Sequence, residues 1–300
     1  MKVLVKELWR QEIARHAEEI EPWLSAHAQR RAEGRKHPVY DFLFEYYSHR
    51  PARLREWSPG VGVLLEGARC GDVFEHEVWR FEQRGAFVDA HALPVQRRES
   101  LLWVISLLEA IDGRTPFFGC HGLHEWAMVY ESEEVRHADF PLRLSRGEIA
   151  EFVRLREVRC SHFDAFRFFT EAARPLNVLK PTAERRLELE QPGCVHVAMD
   201  NYKWATKFHP WVSSATQRAA LWLAVRAREL DMRASPYDLR GLGFEPICIE
   251  TTAGREEYVR QQKALAAEAA GVRRALLGEL RAAASLWMAE KPDETVAVAD

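Results

Sequence analysis

Two long stretches rich in Ala, Glu, Arg and Leu, residues 4–32 and Gly254 to about Met288, commit both ends of this chain to helix. In the first, Leu8, Ile13, His16, Ile20 and Leu24 fall roughly on one stripe, as in a helix that buries one face. Gly34 and Pro38 end it. A third helix is predicted over residues 94–112, with Pro94 near its start, Gly113 past its end, and Leu101, Val104, Ile105 and Leu108 facing the core. Shorter helices are predicted at 40–47, after Pro51, at about 120–131 and at 148–156. Two more are expected at about 194–208 and from Ser213-Ser214 to about Met232. Residues 61–92 are the least helical, and Val78 to Gln83, Arg84-Gly85 and Ala86 to Asp89 read as a hairpin. Cys160 to Thr170 reads as strand or irregular, residues 235–253 as loop, and the last dozen residues as a frayed end. The expected fold is mainly α. It is one helical domain over residues 1–300 with a small β element, an N-terminal helical segment at 1–34 and a long C-terminal helix at 254–288.

A net charge of −3 excludes a chain that is basic throughout and coats nucleic acid, while leaving room for a local basic face. The five cysteines (Cys70, Cys120, Cys160, Cys194 and Cys248) are odd in number, widely spaced and without a Cys-x-x-Cys pair. That usage fits a reducing cytoplasm rather than a disulfide framework. Met1 to Lys6 lacks the apolar core of a signal peptide. The strongly apolar stretch Leu101 to Ile111 is too short to span a bilayer and contains Glu109. A soluble, cytoplasmic protein with no membrane partner is expected.

Three tracts repeat a pattern of cysteine, histidine and acid among aromatics. They are Cys120-His121 with His124-Glu125-Trp126; Cys160 and His162 with Asp164, Phe166, Arg167, Phe168 and Phe169; and Cys194 and His196 with Asp200, Tyr202, Lys203 and Trp204. Ionisable groups in apolar surroundings are costly unless paired or bound, so three such tracts point to one shared polar pocket. Residues three and four apart share a helix face, which pairs His121 with Glu125, His121 with His124, and His196 with Asp200. Two chemistries suit these groups. His121, His124, Glu125, His162, Asp164, His196 and Asp200 offer the nitrogens and carboxylate oxygens that hold iron, zinc or manganese. Alternatively, a carboxylate beside a histidine activates water without a metal. Asp164 and Asp200 are the better bases, because neighbouring aromatics are expected to desolvate them and raise their pKa values. The bland reading, in which single His and Asp residues only satisfy backbone groups, competes at each position taken alone.

Other features are weaker. Arg50, Arg53, Arg55, Lys203 and Lys207 are either phosphate contacts or ordinary solvated surface. Asp231 to Asp238 reads as a capped turn or the rim of a pocket. Gly60-Val61-Gly62 reads as a turn. No phosphate-binding glycine loop and no Gly-x-Ser-x-Gly elbow occurs.

Five stretches (His37 to Tyr47, Gly122 to Tyr130, His162 to Thr170, Glu190 through Trp204, and Asp231 to Asp238) resemble a bacterial family labelled 3-methyladenine DNA glycosylase. The resemblance covers most of residues 37–260. It implies hydrolysis of the bond between an alkylated base and its sugar, with damaged DNA or a nucleobase-containing small molecule as partner. It assigns no residue a role. In that expectation His162, Asp164, His196, Asp200 and Glu125 supply the acid–base chemistry. Trp126, Phe166, Phe168, Tyr202 and Trp204 contact the base, and Arg167 and Lys203 meet phosphate or developing charge. The alternatives are a metal-dependent oxygenase or hydrolase of a small molecule, and a non-catalytic ligand-binding protein.

Overall fold

The structure, a computed structural model, describes residues 1–289 except Ser48, Glu75, Glu134, Arg136 and Ala138. Nearly all of the expected frayed end lies outside the described residues. The chain is mainly α with a small four-stranded sheet. In order, the elements are β1 (Lys2–Leu4), α1 (Lys6–Ala32), α2 (Phe42–Tyr46), β2 (Val63–Glu66), β3 (Trp79–Glu82), β4 (Gly85–Val88) and α3 (Val95–Asp112). Then come α4 (Leu123–Ala127), α5 (Arg146–Arg154), α6 (Phe163–Phe166), α7 (Arg186–Leu189), α8 (Val195–Lys207), α9 (Ser214–Arg233) and α10 (Thr252–Met288). No helix among the described residues is long and apolar enough to cross a membrane.

The predicted hairpin is β3–β4, whose antiparallel register pairs Trp79 with Val88 and Glu82 with Gly85. The turn needs glycine at 85: its φ is +150°, and an added Cβ would sit 2.0 Å from the Leu65 carbonyl oxygen. The sheet order β1-β2-β4-β3 includes a strand that periodicity did not indicate. Lys2–Leu4 is too short to show a period and is a strand because it pairs in parallel with β2. Trp9 Nε1 donates to the Glu66 carbonyl at 3.1 Å, tying α1 to the sheet. Trp211 Nε1 donates to the Asp89 carbonyl at 2.9 Å and ties the sheet to the turn between α8 and α9. The helix expected after Pro51 is a 3-10 turn, Pro51–Arg55.

The centre is α8. It follows the break at Gln191-Pro192-Gly193 and is packed by α9 and α10, with Trp103 of α3 against its Trp204. Val195 to Tyr202, Trp204 and Ala205 are all buried, so the helix has almost no solvent face. A helix buried all round is ordinarily apolar all round. Val197, Met199 and Tyr202 obey this, each burial being worth about 1.5–3 kcal/mol. His196 and Asp200 do not, and four residues apart they share one face.

Helix α9 is oriented by its first turn. Ser213 caps it, its hydroxyl accepting from the Thr216 N–H at 3.2 Å. Glu279 of α10 reaches across: its carboxylate accepts from the Ser213 N–H (2.7 Å), the Ser213 hydroxyl (2.8 Å) and the Thr216 hydroxyl (2.6 Å). A carboxylate at a helix N-terminus is favoured by the exposed N–H groups and the macrodipole. Glu279→Ala is therefore expected to lower the unfolding free energy by about 2 kcal/mol, read as a urea midpoint. Glu268→Ala, which removes only the exposed pair with Arg226, should leave that midpoint unchanged.

His16, His27 and His209 are also buried, outside the three tracts. His16 Nε2 is 2.6 Å from the Leu54 carbonyl, and its Nδ1 accepts from Arg218 at 2.7 Å, which fixes a neutral ring. His209 is pushed down to about 3 by burial, with Arg53 and His16 adding to the effect. Its folded pKa lies below the unfolded value of about 6.5, so stability is present above that value and is lost as pH falls toward the folded pKa. By pH 4 the loss from His209 alone is about 3 kcal/mol. Urea unfolding at pH 7 and pH 4 should show a falling midpoint, and His209→Gln should flatten the fall.

Candidate functional site

The three tracts converge, though on different residues than spacing alone indicates. Helix α4 is one turn, not the predicted 120–131. Gly122 precedes it in the left-handed conformation at φ +72°, and His121 is also left-handed at +48°. His121 therefore leaves the helix before its first turn, does not share a face with Glu125, and lies against Arg255 in a separate depression. His124 and Glu125 point inward and are buried. The Cys160 tract is neither strand nor irregular throughout. His162 caps α6, its Nδ1 accepting from the Ala165 N–H at 3.2 Å, which is why a short helix can begin there. Asn177 holds the approach by exchanging bonds with the Cys160 N–H (2.7 Å) and carbonyl (3.0 Å), as a neighbouring strand would.

At the centre His196 of α8 lies between the other two histidines. Its ring centroid is 4.2 Å from that of His124, edge to face, and 5.4 Å from that of His162, stacked. Each flanking histidine carries the same set of partners. His124 Nε2 is 3.0 Å from Asp231 and 3.8 Å from Glu125, and Arg228 bridges those acids at 2.7 and 2.6 Å. His162 Nε2 is 3.2 Å from Asp200 and 3.8 Å from Glu190, and Arg186 bridges those acids at 3.0 and 2.6 Å. His124, His196 and Asp231 each offer a ligand atom within 4.8 Å of the others, as do His162, Glu190 and Asp200.

The two halves differ in what is left over. In the half around His162 no buried carboxylate oxygen or imidazole nitrogen is left without a partner. Nδ1 accepts from Ala165, so Nε2 carries the proton and donates to Asp200 Oδ2. Asp200 Oδ2 also accepts from Arg186, and its Oδ1 accepts from the Tyr47 hydroxyl at 2.9 Å. Both Glu190 oxygens accept from Arg186. In the half around His124, Asp231 Oδ1 and Glu125 Oε2 are buried and accept no hydrogen bond, although Oδ1 lies 3.0 Å from His124 Nε2. The buried His196 ring contacts the other imidazoles and forms no hydrogen bond among the described residues.

The electrostatics follow from the pairing. Burial pushes the Asp200 carboxyl up, but Lys203, His162 and Arg186 outweigh it and hold the pKa well below the usual range. Asp231 is likewise held down by His124, His196 and Arg228 against burial. Asp164 is also lowered, because Lys203 at 2.8 Å prevails over desolvation. The expected upward shift of these acids is thus reversed: both aspartates sit beside cations, and cations favour the charged form. Burial drives His196 far down and keeps it neutral, with His124 adding to the effect. His124 is raised: burial opposes its charge, and Asp231 more than compensates.

A cavity of about 20 Å³ lies against His124 and His196, walled by Cys120, Cys160, Cys194 and Gln191. That is room for about one water or an ion. Burial raises all three thiols, Cys160 to about 12, so they line the cavity as neutral groups. The other expected contacts lie elsewhere. Trp126 is fully buried and donates to the Ala234 carbonyl at 2.8 Å. Trp204 packs on Trp103 beneath Arg186, and Tyr202 is buried against Tyr47 and His49. Phe166 packs on Phe169, and exposed Arg167 lies over the Phe168 ring. Asp164, with Lys203, sits at the edge of the His162 half.

Four residues of the cluster were outside the sequence-derived set: Asp231, Glu190, Arg186 and Arg228. A signal existed for each pair, since Arg228 and Asp231 are three apart on one helix, and Arg186 and Glu190 are four apart. No protein-family model matches the chain, and no curated protein or solved structure matches it.

Removing one partner of a buried ion pair leaves an uncompensated charge. Arg186→Ala is expected to destabilise the protein by about 3–5 kcal/mol in urea unfolding. Arg185→Ala, which loses an exposed pair with Glu188 and an exposed bond to the Lys180 carbonyl, should have little effect in the same measurement.

Proposed function

We propose that His124, His196 and Asp231 hold a divalent transition metal, and that the protein is a metal-dependent enzyme acting on a small molecule. The observation that carries this reading is the distribution of leftover donors. The half around His124 retains the His196 imidazole, which makes no hydrogen bond, and two carboxylate oxygens, Asp231 Oδ1 and Glu125 Oε2, that accept none, while the half around His162 retains no such oxygen. Buried polar atoms left unsatisfied are costly, and a cation among His124, His196 and Asp231 supplies a partner to His196 and to Asp231 Oδ1.

The donor set fits. Two imidazoles and one carboxylate suit iron, zinc or manganese, and a centre held by three protein groups keeps positions open for water, oxygen or substrate. Such a metal supplies Lewis acidity or an activated water or oxygen. Arg228 takes Asp231 Oδ2 and Glu125 Oε1, which orients Asp231 Oδ1 and Glu125 Oε2 toward the free side. Asp231 remains charged because His124 and Arg228 face it. The neutral thiols of Cys120, Cys160 and Cys194 keep the small cavity free of competing thiolate.

Hydrolysis of a base from DNA has less support from this geometry. A cavity of about 20 Å³ does not admit a nucleobase, and Trp126, one of the indoles expected to stack on one, is enclosed in the core.

Elemental analysis of protein expressed in metal-supplemented medium should find one transition metal per chain. His196→Ala should lose it with the circular dichroism spectrum retained, and His121→Ala should keep it. Absence of metal from the wild type, together with no heat of binding when iron, zinc or manganese is titrated in, would overturn the proposal. Release of methylated base from alkylated DNA by chelator-treated protein would instead support glycosidic hydrolysis through Asp164 or Asp200.

A further inference from the structure

Away from the buried cluster, a cavity of about 540 Å³ opens between the Pro51–Arg55 turn, the start of α3 and the end of α8. Arg50, Arg53, Arg97, Lys203 and Lys207 line it, and no carboxylate does. The acids nearest these cations lie behind them: Glu56 is 3.4 Å from Arg53, and Asp164 is 2.8 Å from Lys203. Arg50, Arg97 and Lys207 have no acidic partner among the described residues. Arg97 donates to the Lys207 carbonyl at 3.4 Å, and the Lys207 ammonium donates to the Ser100 hydroxyl. Burial lowers the pKa of Lys207, and Lys203 and Arg97 add to the effect by crowding it with like charge. Among the lining residues, Gln217 is 1% exposed and its Oε1 has no partner, and His49 Nε2 is buried without one. Arg55, grouped with these cations by sequence, turns away to Glu21.

Arg50, Arg97 and Lys207 line the concave site without an acidic partner among the described residues, which raises the free energy of the empty protein, and an anion removes that cost. We propose that this pocket binds a small molecule carrying a phosphate or pyrophosphate group. The volume lies in the range of small-molecule sites, roughly 300–1,000 Å³. The arginines offer the forked donors that match phosphate oxygens, and the lysines add point charge. A nucleic acid is the poorer occupant, because the cations converge on one cavity rather than spreading along the kind of basic track that a phosphate backbone follows. The pocket also touches the buried cluster. Tyr47 and Lys203 line it, and Tyr47 donates to Asp200 at 2.9 Å while Lys203 lies 3.8 Å from it. The inference does not depend on the proposed metal.

Inorganic pyrophosphate titrated into the full chain at low ionic strength should give saturable heat at one site per chain, with metal content measured on the same sample. Arg97→Gln and Lys207→Gln should each weaken binding about tenfold, the worth of one hydrogen bond to a charged group. Arg226→Gln, on the exposed side of α9, should not. Folding of each variant is checked by circular dichroism, and either pocket variant alone suffices for the comparison. No saturable heat at millimolar pyrophosphate, or equal weakening in all three variants, would overturn the proposal. So would a DNA duplex that displaces pyrophosphate at lower concentration with a steep salt dependence, which would make the face a nucleic-acid contact.

Discussion

The rest of this structure depends on two buried guanidinium groups. Arg228 and Arg186 each bridge two carboxylates inside a largely apolar core. An unpaired carboxylate there would cost several kcal/mol and would protonate instead. With the arginines in place Asp231 and Asp200 remain charged, and three imidazoles can lie beside them without unfolding the centre. The arginines are themselves packed on rings: Arg228 lies 3.8 Å from the centroid of Phe42, and Arg186 lies over Trp103 and Trp204. Those contacts let long charged side chains belong to an aromatic core.

The near-duplicate sets differ in saturation, and the origin is local. His162 begins a helix and must accept from the Ala165 N–H, which fixes its other nitrogen as a donor toward Asp200. His196 is the second residue of α8, after the N-cap Cys194, and no side chain caps that end of the helix. Its ring makes no capping bond. One imidazole is a structural strut and its neighbour keeps a lone pair.

Much of the fold was legible because its signals are local. The ends of α3, α8, α9 and α10 and the β3–β4 turn follow from proline, glycine and capping residues that act within a few positions. β1 was not legible, since three residues show no period and become a strand only by meeting β2. For the site, the histidines His124, His162 and His196 were legible as polar residues in apolar tracts. The acids were only half legible. Asp200 was found by its spacing from His196, while Asp231 and Glu190 come from elements distant in sequence. The direction of the aspartate pKa shifts was misjudged for the same reason. The aromatics nearby in sequence imply desolvation, and the cations that prevail arrive partly from α7, through the tertiary fold.

The absence of a solvent face on α8 bears on how the centre comes into being. Amide protons in such a helix exchange with solvent chiefly through the deepest openings of the molecule, and those openings also separate its neighbours α9 and α10. His196 and Asp200 therefore acquire their surroundings in the same cooperative step that closes the core. The ionic centre belongs to the most protected part of the molecule, and a variant that loosens the packing of α8 disperses these charges along with the hydrophobic contacts.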